Sequence, residues 1–287
     1  MLIDKTKCYA LLDYDGYVCK AFYANKDDPM NMKASAEILR DLEKAAVEKT
    51  SEFFNIPEDN VRILRIMSGH SWKKDIYPSY KRKRQKNEYL GYFRDEIKKY
   101  PGIRLVNQLE ADEIIVLLSD YFQSRKFDNY IVFSDDKDLR YYCPICCKIN
   151  ITEEVQIQDY LDVYKSQLEQ MLAGDSEDNI KGIPGVGGKT APKLLSQYGY
   201  DIKGVIRCFK DKGIDIDNCL RDLLLVIPLA TSYRNPEPEK EEAIATDIVC
   251  GSKVVDQVVC SLLISQIQFL NKIVKEVYDE ENNQEGN

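Results

Sequence analysis

Apolar residues recur along this chain in two rhythms. Short runs rich in β-branched and aromatic residues, Cys8–Asp13, Val61–Met67, Ile103–Val106, Tyr130–Ser134 and Lys148–Ile151, have the length and near-continuous apolarity of strands buried on both faces of a parallel sheet. Between them, Ala34–Phe54 carries apolar positions at helical spacing, and Ala111–Phe122 is apolar nearly all round, as a helix packed on a sheet would be. The alternation predicts an α/β fold for residues 1–160, with a central, mostly parallel sheet flanked by helices. In such sheets ligands collect beyond the carboxyl ends of the strands, so the residues after each run are the ones to inspect.

After about residue 160 the strand-like runs cease. A Gly/Pro-rich hairpin at Ile180–Gly188 and helical patterns to Leu229 predict a second, helical unit over 161–234. Asn235–Glu242 (NPEPEKEE) reads as a solvated linker, and Ile248–Tyr278 as one or two closing helices in a C-terminal extension over 235–287. Its acidic end, from Asp279, is expected to fray.

Composition sharpens this only in part. With 44% hydrophobic and 31% charged residues, the 287-residue chain is globular and not disordered. Nine cysteines with no leader-like apolar run in Met1–Lys7 are expected to be reduced thiols of a cytoplasmic protein, in the host's cytoplasm if the chain is phage-encoded. The longest apolar stretch, Leu223–Ala230, is too short to span a bilayer, so no membrane partner is expected. The net charge of −8 taken alone argues against nucleic acid.

The strand ends change that picture. Asp13-Tyr14-Asp15-Gly16 follows the first run, Glu110-Ala111-Asp112-Glu113 follows the third, Asp135-Asp136-Lys137-Asp138 follows the fourth, and Asp175-Ser176-Glu177-Asp178 lies in the helical unit. Singly, each has a plain explanation as turn chemistry or as acids favoured at a helix start. Jointly they converge on one sheet edge, where unpaired carboxylates would repel one another unless hard divalent cations such as Mg²⁺ or Mn²⁺ sat among them. Two such ions about 4 Å apart form the usual clamp for attack of water on a phosphodiester.

Charge is also unevenly divided. Between Lys73 and Lys99, ten Lys/Arg face four Asp/Glu, a net +6 that leaves −14 for the rest of the chain. The run Tyr80-Lys81-Arg82-Lys83-Arg84 lies beside Trp72, Tyr77, Tyr89, Tyr92 and Phe93, a mixture suited to a single strand or frayed end, although a merely solvated basic helix has the same composition. Gly182–Thr190 (GIPGVGGKT) fails as a phosphate-binding P-loop because Ile183 stands where the first glycine is needed. It fits a helix-hairpin-helix better, with Gly185, Gly187, Gly188, Lys189 and Thr190 approaching duplex phosphates through backbone amides.

These residues together resemble the 5′→3′ exonuclease and flap endonuclease family, a PIN-like fold found in bacteriophages and as the N-terminal nuclease of bacterial DNA polymerase I. The resemblance covers about residues 8–230 and rests on LLDYDGYVCKAFYA (11–24), YPSYKRKR (77–84), LEADE (109–113), FSDDKDL (133–139) and LAGDSEDNIKGIPGVGGKTAPKLL (172–195). It implies a metal-dependent hydrolase of DNA with a free 5′ end or 5′ flap, with an RNA:DNA hybrid as a further substrate, working as a monomer. It implies two Mg²⁺ ions, replaceable by Mn²⁺, on Asp13, Glu110, Asp112, Glu113, Asp136, Asp138, Asp175 and Asp178, and a K⁺ at the hairpin. Lys81 and Arg84, with Lys20, would act on the scissile phosphate. Lys73, Lys74, Arg82 and Lys83 would line a basic arch spanning about 68–100.

One departure stands out. The family places an aspartate at the end of the second strand, where this chain has Ser68-Gly69-His70 and no acid before Asp75. Two other readings remain open: a non-catalytic DNA-binding relative, and a haloacid-dehalogenase-type phosphatase built on Asp13-Tyr14-Asp15-Gly16. Cys143-Pro144-Ile145-Cys146-Cys147 lacks the second ligand pair a zinc site needs and reads as buried thiols.

Overall fold

The computed structural model describes residues 6–25, 32–83, 87–136, 139, 142–150, 154–157, 160–226, 238–251, 254 and 256–285. Strands β1 (Cys8–Asp13), β2 (Val61–Ser68), β3 (Ile103–Val106), β4 (Tyr130–Phe133), β5 (Ile145–Cys147) and β6 (Gln156–Ile157) form one sheet in the order β3-β2-β1-β4-β5-β6. All neighbours are parallel except β5 and β6. β1 is central, in register with β2 from Cys8↔Val61 to Asp13↔Ile66 and with β4 from Tyr9↔Tyr130 to Leu12↔Phe133. The chain leaves β1 toward β2 and β3 on one side and resumes at β4 on the other. The strand order therefore reverses at the carboxyl end of β1, the position at which open α/β sheets form a crevice.

Helices α1 (Tyr14–Ala24), α2 (Met32–Phe54) and α4 (Glu88–Ile97) cover one face, burying Val18, Phe22, Leu39, Phe93 and Ile97 against Leu12, Met67 and Phe133. The short α3 (Lys73–Ile76) precedes α4. On the other face lies α5 (Ala111–Ser124), whose Ile114, Ile115, Val116, Leu117 and Leu118 are all buried. Its apolar character on every side has a direct cause: the sheet covers one flank, and Ile244, Ala245 and Ile248 of a helix from the C-terminal region share its cluster.

The last parallel strand differs from the sequence reading. It is formed by Ile145–Cys147, three residues before the predicted run; Asn150 lies in a turn, and Ile151 falls outside the described residues. Cys146 and Cys147 pair with Val132 and Phe133, and compact thiols fill this narrow space as small apolar groups. No disulfide joins the nine cysteines, and the Cys146 thiol lies within hydrogen-bond reach of the carbonyls of Leu139 and Cys143.

Helices α6 (Tyr160–Ala173), α7 (Ala191–Tyr198), α8 (Ile202–Asp211) and α9 (Ile216–Val226) enclose a second core that includes Leu172, Ile183, Leu195, Phe209 and Leu223. The C-terminal region forms α10 (Pro238–Cys250) and α11 (Asp256–Glu285). The predicted linker thus ends at Pro238, where proline in a first helical turn is followed by the good helix formers Glu239–Glu242. The acidic end is helical to Glu285, where fraying was expected. Val259 and Leu262 of α11 belong to the sheet's core, whereas Leu270 and Val277 belong to the helical one. Among the described residues no helix is long and apolar enough to cross a membrane.

The turn out of β2 admits no side chain. The Gly69 amide bonds the Leu109 carbonyl at 2.9 Å, and a Cβ at this position would lie 2.3 Å from the Val106 carbonyl oxygen. Because the obstacle is backbone, Gly69→Ala should destabilise the protein by about 1–3 kcal/mol, read as a lower midpoint in thermal or urea unfolding.

Candidate metal and nucleic-acid site

The site begins where β1 and β4 stop. Asp13 caps α1, its Oδ1 accepting the Gly16 amide at 3.3 Å, while its Oδ2 accepts the Ser134 hydroxyl at 2.7 Å. Ser134 Oγ in turn accepts the Asp136 amide at 3.0 Å, so one hydroxyl fastens the two strand ends together. Burial pushes the Asp13 carboxyl up to about 7; the Ser134 and Gly16 hydrogen bonds offset this in part, and the fields of Asp15 and Asp136 add to it. Asp136 is exposed at the rim. Lys20 reaches the same edge but pairs with Asp135 at 2.8 Å, whose other oxygen accepts the Ile149 amide.

The second half is built on the start of α5. Glu110 is its N-cap, and Glu113 returns the bond, accepting the Glu110 amide at 3.1 Å. The other Glu113 oxygen receives the Trp72 indole N–H at 3.0 Å and lies 3.5 Å from Lys73 Nζ, with the residue 1% exposed. Glu113, predicted as a metal ligand, caps the helix and anchors Trp72, with both of its oxygens hydrogen-bonded inside the protein.

Glu110 faces the arch. Lys81 Nζ lies 3.0 Å from both its oxygens, Lys73 Nζ 3.5 Å from Oε2, and Tyr80 OH 2.8 Å from Oε2. The same tyrosine hydroxyl lies 3.1 Å from Asp178 Oδ2, and the Lys81 amide donates to the Asp178 carbonyl at 3.2 Å. Lys81 adopts a left-handed backbone, φ 53°, with its ammonium 4.8 Å from the centre of the Tyr80 ring. Tyr80-Lys81 thus bridges the α/β core to the loop that carries Asp175 and Asp178.

That loop is closed tightly. Asp175 Oδ1 accepts the amides of Glu177 and Asp178 at 2.8 and 3.3 Å, and the backbones of Asp175 and Ile180 exchange two hydrogen bonds. Gly174 and Gly182 face each other across its base with φ of 72° and 57°; a Cβ on either would come within 2.6 Å of the other's backbone.

The electrostatics divide the site in two. Burial would raise the Glu110 pKa, but Lys73 and Lys81 outweigh it and hold the carboxyl well below its usual range. Burial and the neighbouring Glu110 raise Asp112, against the pull of Lys73 and Lys81, and Asp136 adds to the rise. Burial likewise opposes the charge on Lys73, yet Glu113 and Glu110 raise its pKa overall. Asp136 thus bears on both Asp13 and Asp112.

Other predicted positions sort as follows. Lys73, expected on DNA, is 4% exposed and serves as an internal counter-ion because the two glutamates surround it. Lys74, Arg82 and Lys83 are exposed, as are Gly185, Gly187, Gly188, Lys189 and Thr190 on the hairpin. Arg84 and Asp138 lie outside the described residues. Of the arch aromatics, Trp72 and Phe93 are core residues and Tyr77 lies beneath the Arg221 guanidinium, which leaves Tyr89 and Tyr92 exposed on α4. Ser68 Oγ accepts the Ala111 amide, and His70 pairs with Asp75 at the surface. Sequence reasoning passed over Ser134 and Tyr80, although FSDDKDL and YPSYKRKR contain them.

Among the described residues no three acidic, histidine or cysteine side chains are grouped so as to hold an ion. The donor chemistry nonetheless suits a hard divalent cation, since Asp13, Asp112 and Asp136 offer oxygen alone, and burial first and neighbouring carboxylates second raise Asp13 and Asp112.

No protein-family model matches the chain. A flap endonuclease Xni of Aeromonas salmonicida is 32% identical over 161 residues, 48% of this chain and 57% of that protein. A 5′-3′ exonuclease of Mycoplasmopsis pulmonis is 31% identical over 162 residues, 50% of this chain and 53% of that protein. The chain spans about half the length of these curated relatives. The bacteriophage T5 5′-exonuclease, solved with zinc bound, matches in fold with a TM-score of 0.55 at 14% identity, covering 94% of this chain and 98% of that one. The T5 flap endonuclease solved with DNA and metal ions matches equally, at 0.55 over 93% and 99% of the two chains. These likenesses bear out the α/β, PIN-like reading.

The buried Asp13 carboxyl has a measurable consequence. Its folded pKa exceeds the unfolded value of about 4, so the native state binds the extra proton and stability from this group falls as pH rises from about 4 to about 7. In chelator, Asp13→Asn should flatten that part of the unfolding-versus-pH curve and gain on the order of 1–2 kcal/mol over the parent at pH 8.

Proposed function

We propose that this chain, for which sequence relatives and fold alike support the 5′-3′ exonuclease and flap endonuclease family, is a divalent-metal-dependent nuclease acting on DNA with a free 5′ end or a 5′ flap. The observation that carries the reading is the Tyr80-Lys81 pair, which brings a basic arch onto carboxylates from both the start of α5 and the hairpin unit. A fold that only needed to bind duplex would have no use for acids at the place where phosphate must approach.

In this reading Asp13, Asp112, Asp136 and Asp138 hold one cation and Asp175 and Asp178, with Glu110, a second, Mg²⁺ or Mn²⁺ by their oxygen chemistry. When bound, such ions lower the pKa of a water and neutralise the phosphate it attacks. Ser134 keeps the Asp13 carboxylate turned to the strand end, and a cation held there would offset the burial that disfavours its charge. Lys81 is held beside Glu110 and offers its ammonium to the phosphodiester as that pairing loosens. Lys74, Arg82 and Lys83 gather the 5′ strand, and Lys20, with Arg84, assists. On the hairpin, exposed Gly185, Gly187, Gly188, Lys189 and Thr190 grip duplex phosphates, with a K⁺ bound there, and the chain works as a monomer. Affinity falls with salt accordingly. An RNA:DNA hybrid is a further substrate.

The phosphatase reading needs a free acid two residues after Asp13, yet both Asp15 oxygens are bonded within the protein. The non-catalytic reading is favoured by the bare end of β2, where Ser68 is turned to α5.

A panel of 5′-flap, nicked duplex, single strand and RNA:DNA hybrid decides between enzyme and binder. Cleavage should require Mg²⁺ or Mn²⁺, cease in EDTA, and fall by at least about 10³-fold in Asp136→Ala and Asp175→Ala while DNA binding in Ca²⁺ persists; binding without cleavage by the parent would establish the binder. Replacing Tyr89 and Tyr92 by Ala should weaken single-strand affinity by about 1–3 kcal/mol per stacked base, measured by fluorescence anisotropy, and leave duplex affinity unchanged.

A further inference from the structure

β2 ends in Ser68, so this corner of the site has no acid of its own strand. The structure supplies one from elsewhere. Asp15, in the first turn of α1, turns its Oδ2 to the Ser68 amide at 2.9 Å. Its Oδ1 is ion-paired with Arg94 Nη2 of α4, and the two side chains are 17% and 32% exposed. Both oxygens are therefore taken, and a guanidinium already balances the charge. Asp15 thus differs from Asp13 two residues earlier, whose oxygens accept the Gly16 amide and the Ser134 hydroxyl.

α4 carries the chain from the basic arch back to the sheet. Apart from Arg94, its hold on α1 includes Phe93, whose ring lies 6.4 Å from that of Phe22. The other leg of the arch is fixed in the same manner, with the Trp72 indole and the Lys73 ammonium on Glu113. Each leg is thus fastened to a carboxylate at the site's own edge, one at the start of α5 and one in the first turn of α1, beside the end of β2.

We propose that Asp15 is a positioning residue for the reaction proposed above: standing where β2 has no carboxylate, it pins the second leg of the arch through Arg94 and holds no metal. The inference rests on the nuclease reading. An arch fixed in advance spares the incoming strand the cost of ordering it, so the pin should act on substrate capture and leave the chemical step alone. Removing one partner also strands the other charge at a half-buried rim, so the two residues should fail together.

The test compares Asp15→Asn, which keeps an acceptor for Ser68 but loses the charge, with Arg94→Gln, Arg94→Lys and the Asp15→Asn/Arg94→Gln double variant. Steady-state cleavage of a 5′-flap at saturating Mg²⁺ gives KM and kcat. Tryptic cutting after Lys81–Lys83 in EDTA, with thermal midpoints as control, reports the arch without any nuclease activity. Each neutralising variant should raise KM about tenfold with kcat within about twofold and speed tryptic cutting about tenfold. The double variant should be no worse than either single one, and Arg94→Lys should recover most of the loss. A fallen kcat at unchanged KM, a higher Mg²⁺ requirement, additive losses in the double variant, or unchanged tryptic cutting would each overturn the pin. Should Asp15→Asn fail to fold, Arg94→Gln against Arg94→Lys decides it. Parent protein inactive on every DNA would sink the nuclease reading instead, and the tryptic comparison would still judge the pin.

Discussion

Carboxylates cannot share one edge of a sheet without cations, and this molecule meets part of that constraint with its own lysines. Lys73 and Lys81 face Glu110, Glu113 and Asp178, and the tyrosine between them in space ties the set to two separate cores. Asp112 feels the same two lysines but is raised by burial and by Glu110, and burial pushes the Asp13 carboxyl up to about 7. The pairing of lysine with carboxylate explains why the arch lies where it does, since its lysines have left water only because buried carboxylates replace the lost hydration. It also explains the loop at Asp175: two glycines pressed backbone to backbone bring Asp178 within reach of Tyr80.

Much of the fold was legible because its signals are collective. A central strand such as β1 is apolar from Cys8 to Leu12 since both faces are covered, and Ala111–Phe122 could be recognised as a buried helix without knowing what covered its outer side. The misplaced β5 shows the limit. Ile145, Cys146 and Cys147 carry no alternation or length that separates them from a loop, and only pairing with β4 makes them a strand. The helix starting at Pro238 was hidden for a different reason: charged helix formers and a solvated linker have the same composition, and packing of Ile244 and Ile248 on α5 decides between them.

The site was legible in its elements and not in its assignments. Asp13, Glu110, Asp112, Asp136, Asp175 and Asp178 are acids at the ends of elements, which strand and helix boundaries locate well enough. Sequence cannot tell which acids already have partners. Glu113 and Lys73 look like a ligand and a DNA contact, yet the indole of Trp72 and the start of α5 draw both inward. Tyr80 and Ser134 were missed because a hydroxyl gains its role only from which two acids stand on either side of it.

Helix α11 spans two hydrophobic cores, with Val259 and Leu262 in one and Leu270 and Val277 in the other. A continuous helix cannot lose its seat in one core without tearing its hydrogen-bond ladder or dragging the other core along. The sheet and the hairpin unit are therefore joined in folding cooperativity: heat or denaturant should take both through a single transition, where two cores linked by a flexible tether would melt in succession.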